Sequence, residues 1–70
     1  MHRGNAYYEA LIAKYQAQIL EAKAVLKTYF TNSVGIGEHS ELIEEFDKQL
    51  GKLAEAEDKL SSLKDLIKNA

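Results

Sequence analysis

The side chains best suited to chemistry in this sequence are its two histidines and eleven carboxylates. His39 lies beside Glu38 and close to Glu41, so that imidazole and carboxylate groups could meet a divalent cation. The spacing differs from the Glu-x-x-His pattern that holds metal ions in helical bundles, and His2 stands alone near the start. We therefore expect at most adventitious cation binding, with no metal site and no cofactor.

Other reactive patterns are equally incomplete. Gly35-x-Gly37 resembles part of a phosphate-binding loop but lacks the third glycine, the lysine and a preceding strand, so it predicts a turn. Cysteine is absent, which excludes thiolate chemistry and disulfides. The carboxylates of the second half show no spacing typical of an acid–base pair and indicate a solvated face. We predict that the protein is not an enzyme.

The elements that would position these groups are two helices. Apolar side chains recur at alternating intervals of four and three residues, which keeps one helix face against a partner helix. The first stripe is Tyr8, Ile12, Tyr15, Ile19, Ala22, Leu26 and Tyr29, and the second is Ile43, Phe46, Leu50, Leu53, Leu60 and Ile67. This pattern predicts an all-α protein, an antiparallel two-helix hairpin of the coiled-coil type. It forms one domain over residues 1–70, with helices at about 5–30 and 40–68 and a turn at 31–39.

Polar residues and glycines mark where the helices begin and end. Asn5 and Ser40 are the predicted N-caps, since their side chains can accept hydrogen bonds from free amides of the first turn. Between the helices, Val34 and Ile36 alternate with glycines and could cover the end of the apolar seam. Gly51 interrupts the second helix, either because another backbone approaches closely there or because an exposed glycine is tolerated.

The turn position predicts a register in which the numbers of facing residues sum to about 72. The predicted pairs are Leu26 with Phe46, Ala22 with Leu50, Ile19 with Leu53, Ile12 with Leu60, and Tyr29 with Ile43. The same register places Tyr15 against Glu57 and Tyr8 against Lys64, where a hydroxyl and a lysine stem could satisfy the polar groups. Alternatively, the stripe of the second helix drifts after Leu53. It then consists of Leu53, Ala56, Leu60, Leu63 and Ile67.

The first helix carries a second apolar row, on a face roughly 150° from the tyrosine stripe. This alanine row consists of Ala6, Ala10, Ala13, Ala17, Leu20 and Ala24. Small side chains let another helix approach closely, although alanine is also the best helix former and often fills solvent-exposed faces. A 70-residue chain without disulfides gains little from its own core, so we expect a homo-oligomer. A dimer that forms a four-helix bundle is favoured, with the alanine row as the candidate interface.

Charge and hydropathy exclude several partner classes. The net charge is −2, and residues 1–31 carry four basic and two acidic side chains while residues 32–70 carry five and nine. No clustered basic face of the kind that binds duplex DNA is present, so nucleic acid is an unlikely partner. The longest uncharged run, 28–37, covers about half of the roughly 20 residues that a membrane span needs. No apolar signal region follows the start, and we expect a cytoplasmic protein without membrane contact.

Four further segments carry a resemblance. They are Val34-Gly35-Ile36-Gly37-Glu38-His39-Ser40, then Glu44-Glu45 with Asp47-Lys48 and Ala56-Glu57-Asp58-Lys59-Leu60, and the start Tyr7-Tyr8-Glu9. Together they resemble short reading frames of tailed marine cyanophages, over most of the chain. The resemblance implies a source among phage or marine environmental sequences and, if so, the host cytoplasm. Such frames have no assigned activity, so the resemblance transfers no site residue.

Two hypotheses for function follow. The first is an interaction module, a hairpin that self-associates and presents its remaining surface to a larger phage or host protein. The second is an accessory protein of nucleic-acid metabolism, which would contact single strands or a replication or recombination protein through the more basic first helix.

Overall fold

The computed structural model describes residues 5–32 and 39–69, which form two helices. α1 spans Ala6–Asn32 and α2 spans His39–Asn69. They lie side by side in a body of 49 × 15 × 13 Å. The predicted all-α helical hairpin is confirmed. The predicted turn at Gly35 and Gly37 lies outside the described residues, as does the apolar lid of Val34 and Ile36.

The helix ends agree with the sequence at one position and differ at two. The Oδ1 atom of Asn5 accepts hydrogen bonds from the backbone N–H groups of Tyr7 at 2.8 Å and Tyr8 at 3.3 Å, so the predicted N-cap is confirmed. α1 continues to Asn32, past its predicted end, and the Thr31 hydroxyl donates a hydrogen bond to the Lys27 carbonyl at 3.1 Å within the helix. α2 begins at His39, one residue before Ser40, the predicted N-cap.

The buried face of α1 contains the predicted tyrosine stripe. Every member of that stripe from Tyr8 to Tyr29 is buried or half-buried, and Ala22 and Leu26 are the most enclosed, with exposed fractions of 2% and 8%. No polar residue interrupts this stripe, so one face of α1 can remain against α2 along its length.

The buried face of α2 differs from the first of the two predicted stripes. The buried and half-buried positions alternate at intervals of four and three: Leu42, Phe46, Gln49, Leu53, Ala56, Leu60, Leu63 and Ile67. Ile43 and Leu50 were predicted in the seam but are 68% and 48% exposed. The other stripe would carry Glu57 and Lys64 into the seam, and desolvating charged groups costs more than enclosing one glutamine. The alternative stripe through Ala56 and Leu63 is confirmed.

The register of the hairpin is shifted from the prediction by about three residues, slightly less than one helical turn. The ring of Phe46 packs against Tyr29, with centroids 6.4 Å apart, where Leu26 was expected. The numbers of facing residues therefore sum to about 75. In this register Ala56 lies level with Ile19, so a small side chain faces a large one.

The polar contacts change with the register. Glu57 is exposed, and the predicted hydrogen bond from Tyr15 to Glu57 is not formed. Instead the ammonium group of Lys59 lies 6.0 Å from the centroid of the Tyr15 ring. Tyr8 and Lys64 line one groove together with Ile67 and Lys68, but in the observed register Tyr8 lies level with Ile67.

Gly51 faces open space. A Cβ atom placed at Gly51 would meet nothing within 4 Å. Within one chain, the structure therefore supports the interpretation of Gly51 as a tolerated, exposed glycine.

Candidate interaction surfaces

The apolar core of the described residues is small, and two of its four buried side chains are alanines. The buried set is Ala22, Leu26, Ala56 and Leu63. Among the described residues, six large apolar side chains are exposed, whereas two, both leucines, are buried. The exposed set is Tyr7, Leu20, Phe30, Ile43, Leu50 and Leu66. Scattered exposed apolar residues are ordinary on proteins, so the informative question is which of them lie together.

Four apolar side chains lie together where α1 ends and α2 begins, and we name them the turn-end patch: Phe30, Ile43, Phe46 and Leu50. The ring of Phe30 meets Phe46 edge to face, with centroids 5.0 Å apart. Ile43 precedes Phe46 by three residues and Leu50 follows it by four, so both lie beside Phe46 along α2. Phe30 is 72% exposed despite its contact with Phe46. Exposed apolar side chains that lie together are more informative than scattered ones, because contiguous apolar patches often mark interaction sites.

The alanine row lies on the side of α1 that faces away from α2. All six of its residues are exposed, and Leu20, its one large member, is 69% exposed. The structure thus leaves the row uncovered within one chain. Its use as an interface stays a prediction.

A notch of 240 Å³ opens where the small side chains Ala22 and Ala56 leave space between the helices. Its other lining residues are Gln18, Glu21, Gln49, Lys52 and Glu55. The notch is smaller than the roughly 300–1,000 Å³ of typical ligand pockets. A hydrogen bond and the positive charge of Lys59, whose Nζ lies 2.9 Å from Glu55 Oε1, hold the pKa of Glu55 below its ordinary value. Glu55 is therefore an anion at neutral pH and poorly suited to donate a proton.

The remaining candidate groups are not brought together in the described part of the chain. Residues 5–32 and 39–69 contain no cluster of three histidine or acidic side chains that could hold a metal ion. Glu38, which belonged to the weak cation set, lies outside these ranges. Lys14 and Lys23 are nine residues apart and so point to opposite sides of α1, although Lys23 and Lys27 are neighbours. The lysines of α1 therefore do not form one row along which a nucleic-acid backbone could run.

The helices were also considered as membrane spans, and the chain was compared with known proteins. Neither α1 nor α2 contains a stretch that is both long enough and apolar enough to cross a bilayer. Comparison with protein-family models, with curated proteins and with solved structures finds no match for this chain.

Proposed function

We propose that this protein is a small, non-catalytic interaction module that associates with itself. The observation that carries the proposal is the turn-end patch: Phe30, Ile43 and Leu50 remain exposed together while the described core encloses two leucines and two alanines. A domain of this size gains roughly 3–5 kcal/mol from its own core, so covering the patch would add a substantial share of stability.

The architecture supports the same proposal. A two-helix hairpin has no third layer to cover its outer faces, and protein domains bury each apolar face against another element. Two hairpins can supply that layer to one another as a four-helix bundle with two-fold symmetry. A surface that self-association leaves uncovered, such as the alanine row, would then be available to a larger partner. From the resemblance, that partner would be a phage or host protein in the host cytoplasm.

Sedimentation equilibrium over a chain concentration of 1 to 200 µM tests the proposal. We expect a species of about twice the chain mass of 7.9 kDa, in equilibrium with monomer at the dilute end. Thermal unfolding followed by circular dichroism should show a midpoint that rises with chain concentration, because association stabilises the folded state by mass action. A helical species that stays monomeric throughout this range, with a midpoint independent of concentration, would refute self-association.

A further inference from the structure

We propose that two copies of this chain pair through the turn-end patch, with both turns at the same end of the dimer. This inference rests on the self-association proposed above and adds which face is used and in which direction the copies run. The occupant of the patch is thus the same patch on a second copy.

The patch is favoured over the alanine row because it continues the existing core. Phe46 is half-buried in the seam between α1 and α2, yet its ring also meets the exposed ring of Phe30. A second copy that covers the patch would extend this packing outward without a break. The alanine row offers methyl groups and one large side chain, Leu20, so it buries less apolar area per residue.

The direction follows from the way the patch ends. Ile43 and Leu50 are spaced by seven residues, and the same spacing continues along α2 to Glu57 and Lys64. The outer stripe is thus apolar near the turn and charged toward the other end. If the two copies lay side by side in opposite directions, Ile43 and Leu50 would lie against these charged groups of the second copy. The charged groups would then lose water without gaining partners. Of the arrangements in which the two hairpins overlap along their full length, the turn-to-turn one places patch on patch.

Charges at the rim of the same face fit this arrangement. On α1, Glu9 and Lys27 precede Phe30 by 21 and 3 residues, and both lie on the side of the helix that carries Phe30. On α2, Asp47 follows Ile43 by four residues and Lys68 follows Leu50 by 18, which is five helical turns. All four charged side chains are exposed.

In a dimer whose two-fold axis runs along the hairpins, α1 of one copy lies on α2 of the other. In the observed register, Lys27 is then nearly level with Asp47 of the second copy, and Glu9 with its Lys68. Within one chain these pairs lie on outer edges of different helices and point apart. Opposite charges therefore meet at both ends of the dimer, and two-fold symmetry doubles each pair.

Sedimentation of two matched variants tests the face. Leu50→Glu introduces a charge into the patch, and Ala17→Glu introduces the same charge at the middle of the alanine row. We expect Leu50→Glu to weaken dimerisation at least 100-fold and Ala17→Glu to change it less than threefold. The opposite ranking would overturn the inference while leaving self-association intact, whereas a monomeric unmodified chain would overturn the proposed function itself.

A charge exchange keeps the test decisive if Leu50→Glu loses helicity by circular dichroism. Lys27→Asp alone should weaken the dimer, because it places two carboxylates together, and adding Asp47→Lys should restore it. Failure of the double exchange to restore dimerisation would contradict the pairing, since no ion pair joins Lys27 and Asp47 within one chain.

The direction is tested by a spin label, which the chain accepts cleanly because it has no cysteine. Asn69→Cys places the label at the end of α2 that is distant from the turn. Turn-to-turn pairing predicts a label-to-label distance below about 35 Å, because both labels lie at the same end. A longer distance would show that the copies run in opposite directions and would overturn the inference.

Discussion

Truncating Leu63 should destabilise the hairpin far more than truncating Leu66, three residues later. Leu63 is 6% exposed in the seam, whereas Leu66 is 65% exposed. Shortening a buried leucine to alanine costs about 2–5 kcal/mol, and a narrow two-helix seam can relax, so we expect about 2–3 kcal/mol for Leu63→Ala. Leu66→Ala should change the free energy of unfolding by less than about 0.5 kcal/mol.

These magnitudes are large for a chain of this length. If the core supplies roughly 3–5 kcal/mol, Leu63→Ala removes about half of it. A domain of 60–100 residues changes its unfolding midpoint by about 4–8 °C per kcal/mol, so the variant should melt about 10–20 °C lower. Leu66→Ala should melt within a few degrees of the unmodified chain, and it is the matched control because it removes the same atoms from the same helix.

The assay is urea unfolding followed by circular dichroism at 222 nm. Both variants and the unmodified chain are compared at one fixed concentration, because association alters the apparent stability. If the two truncations cost the same within about 0.5 kcal/mol, the placement of Leu63 inside the seam is wrong. The reverse order would favour a seam in which α2 is rotated so that Leu66 is enclosed.

Three further predictions concern single sites. Asn5→Ala should lower the free energy of unfolding by about 1 kcal/mol, as judged by urea unfolding, while Asn5→Asp keeps the accepting oxygen and should preserve it. Gly51→Ala should raise stability by about 0.5–1 kcal/mol, since its Cβ meets open space, and a loss would reveal a second backbone packed there. Lys59→Gln should raise the pKa of Glu55 toward its ordinary value, as measured by NMR titration of the carboxyl carbon. Because the pKa of Glu55 is lowered in the folded chain, the pair stabilises the fold above the ordinary pKa of Glu55, and this effect is lost as pH falls through the lowered pKa. A pKa of Glu55 that does not change in Lys59→Gln would contradict the pairing.

Much of α1 could be predicted because its signals do not compete. Its seven-member stripe from Tyr8 to Tyr29 contains no polar interruption other than the tyrosine hydroxyls. Asn5 is the capping residue directly before this pattern, and its side chain accepts the predicted hydrogen bonds. Because the stripe is uninterrupted and Asn5 is suited to begin the helix, local preference and tertiary packing agree.

The seam of α2 was harder to predict because two stripes share Phe46 and Leu53. One also uses Ile43 and Leu50, and the other uses Gln49, which looks unsuited to a core. Gln49 is nevertheless tolerated at a half-buried position because it lines the open notch between the helices, where its amide can reach water. The sequence did contain a signal that distinguishes the two stripes. One stripe places a single uncharged glutamine in the seam, whereas the other would place two charged side chains there, and desolvating charged groups costs more free energy.

The alanine row and the turn-end patch show why the choice of stripe also decides the functional interpretation. With Ile43 and Leu50 in the seam, the alanine row would have been the main apolar surface left over. Their outward position instead weakens the core and creates the patch beside Phe30. Ile43 and Leu50 thus have two effects: their absence leaves the core smaller, and their exposed side chains supply apolar area for pairing.

It follows that pairing and monomer stability can be separated experimentally. Leu50 is already 48% exposed in the single chain, so Leu50→Glu removes little from the monomer core. At concentrations where the unmodified chain is monomeric, the variant should unfold at nearly the same urea concentration. At high chain concentration the variant should unfold at a lower urea concentration than the unmodified chain, because only the unmodified chain is stabilised by association. If the two chains unfolded at the same urea concentration at every chain concentration, the patch would not be the surface that mediates self-association.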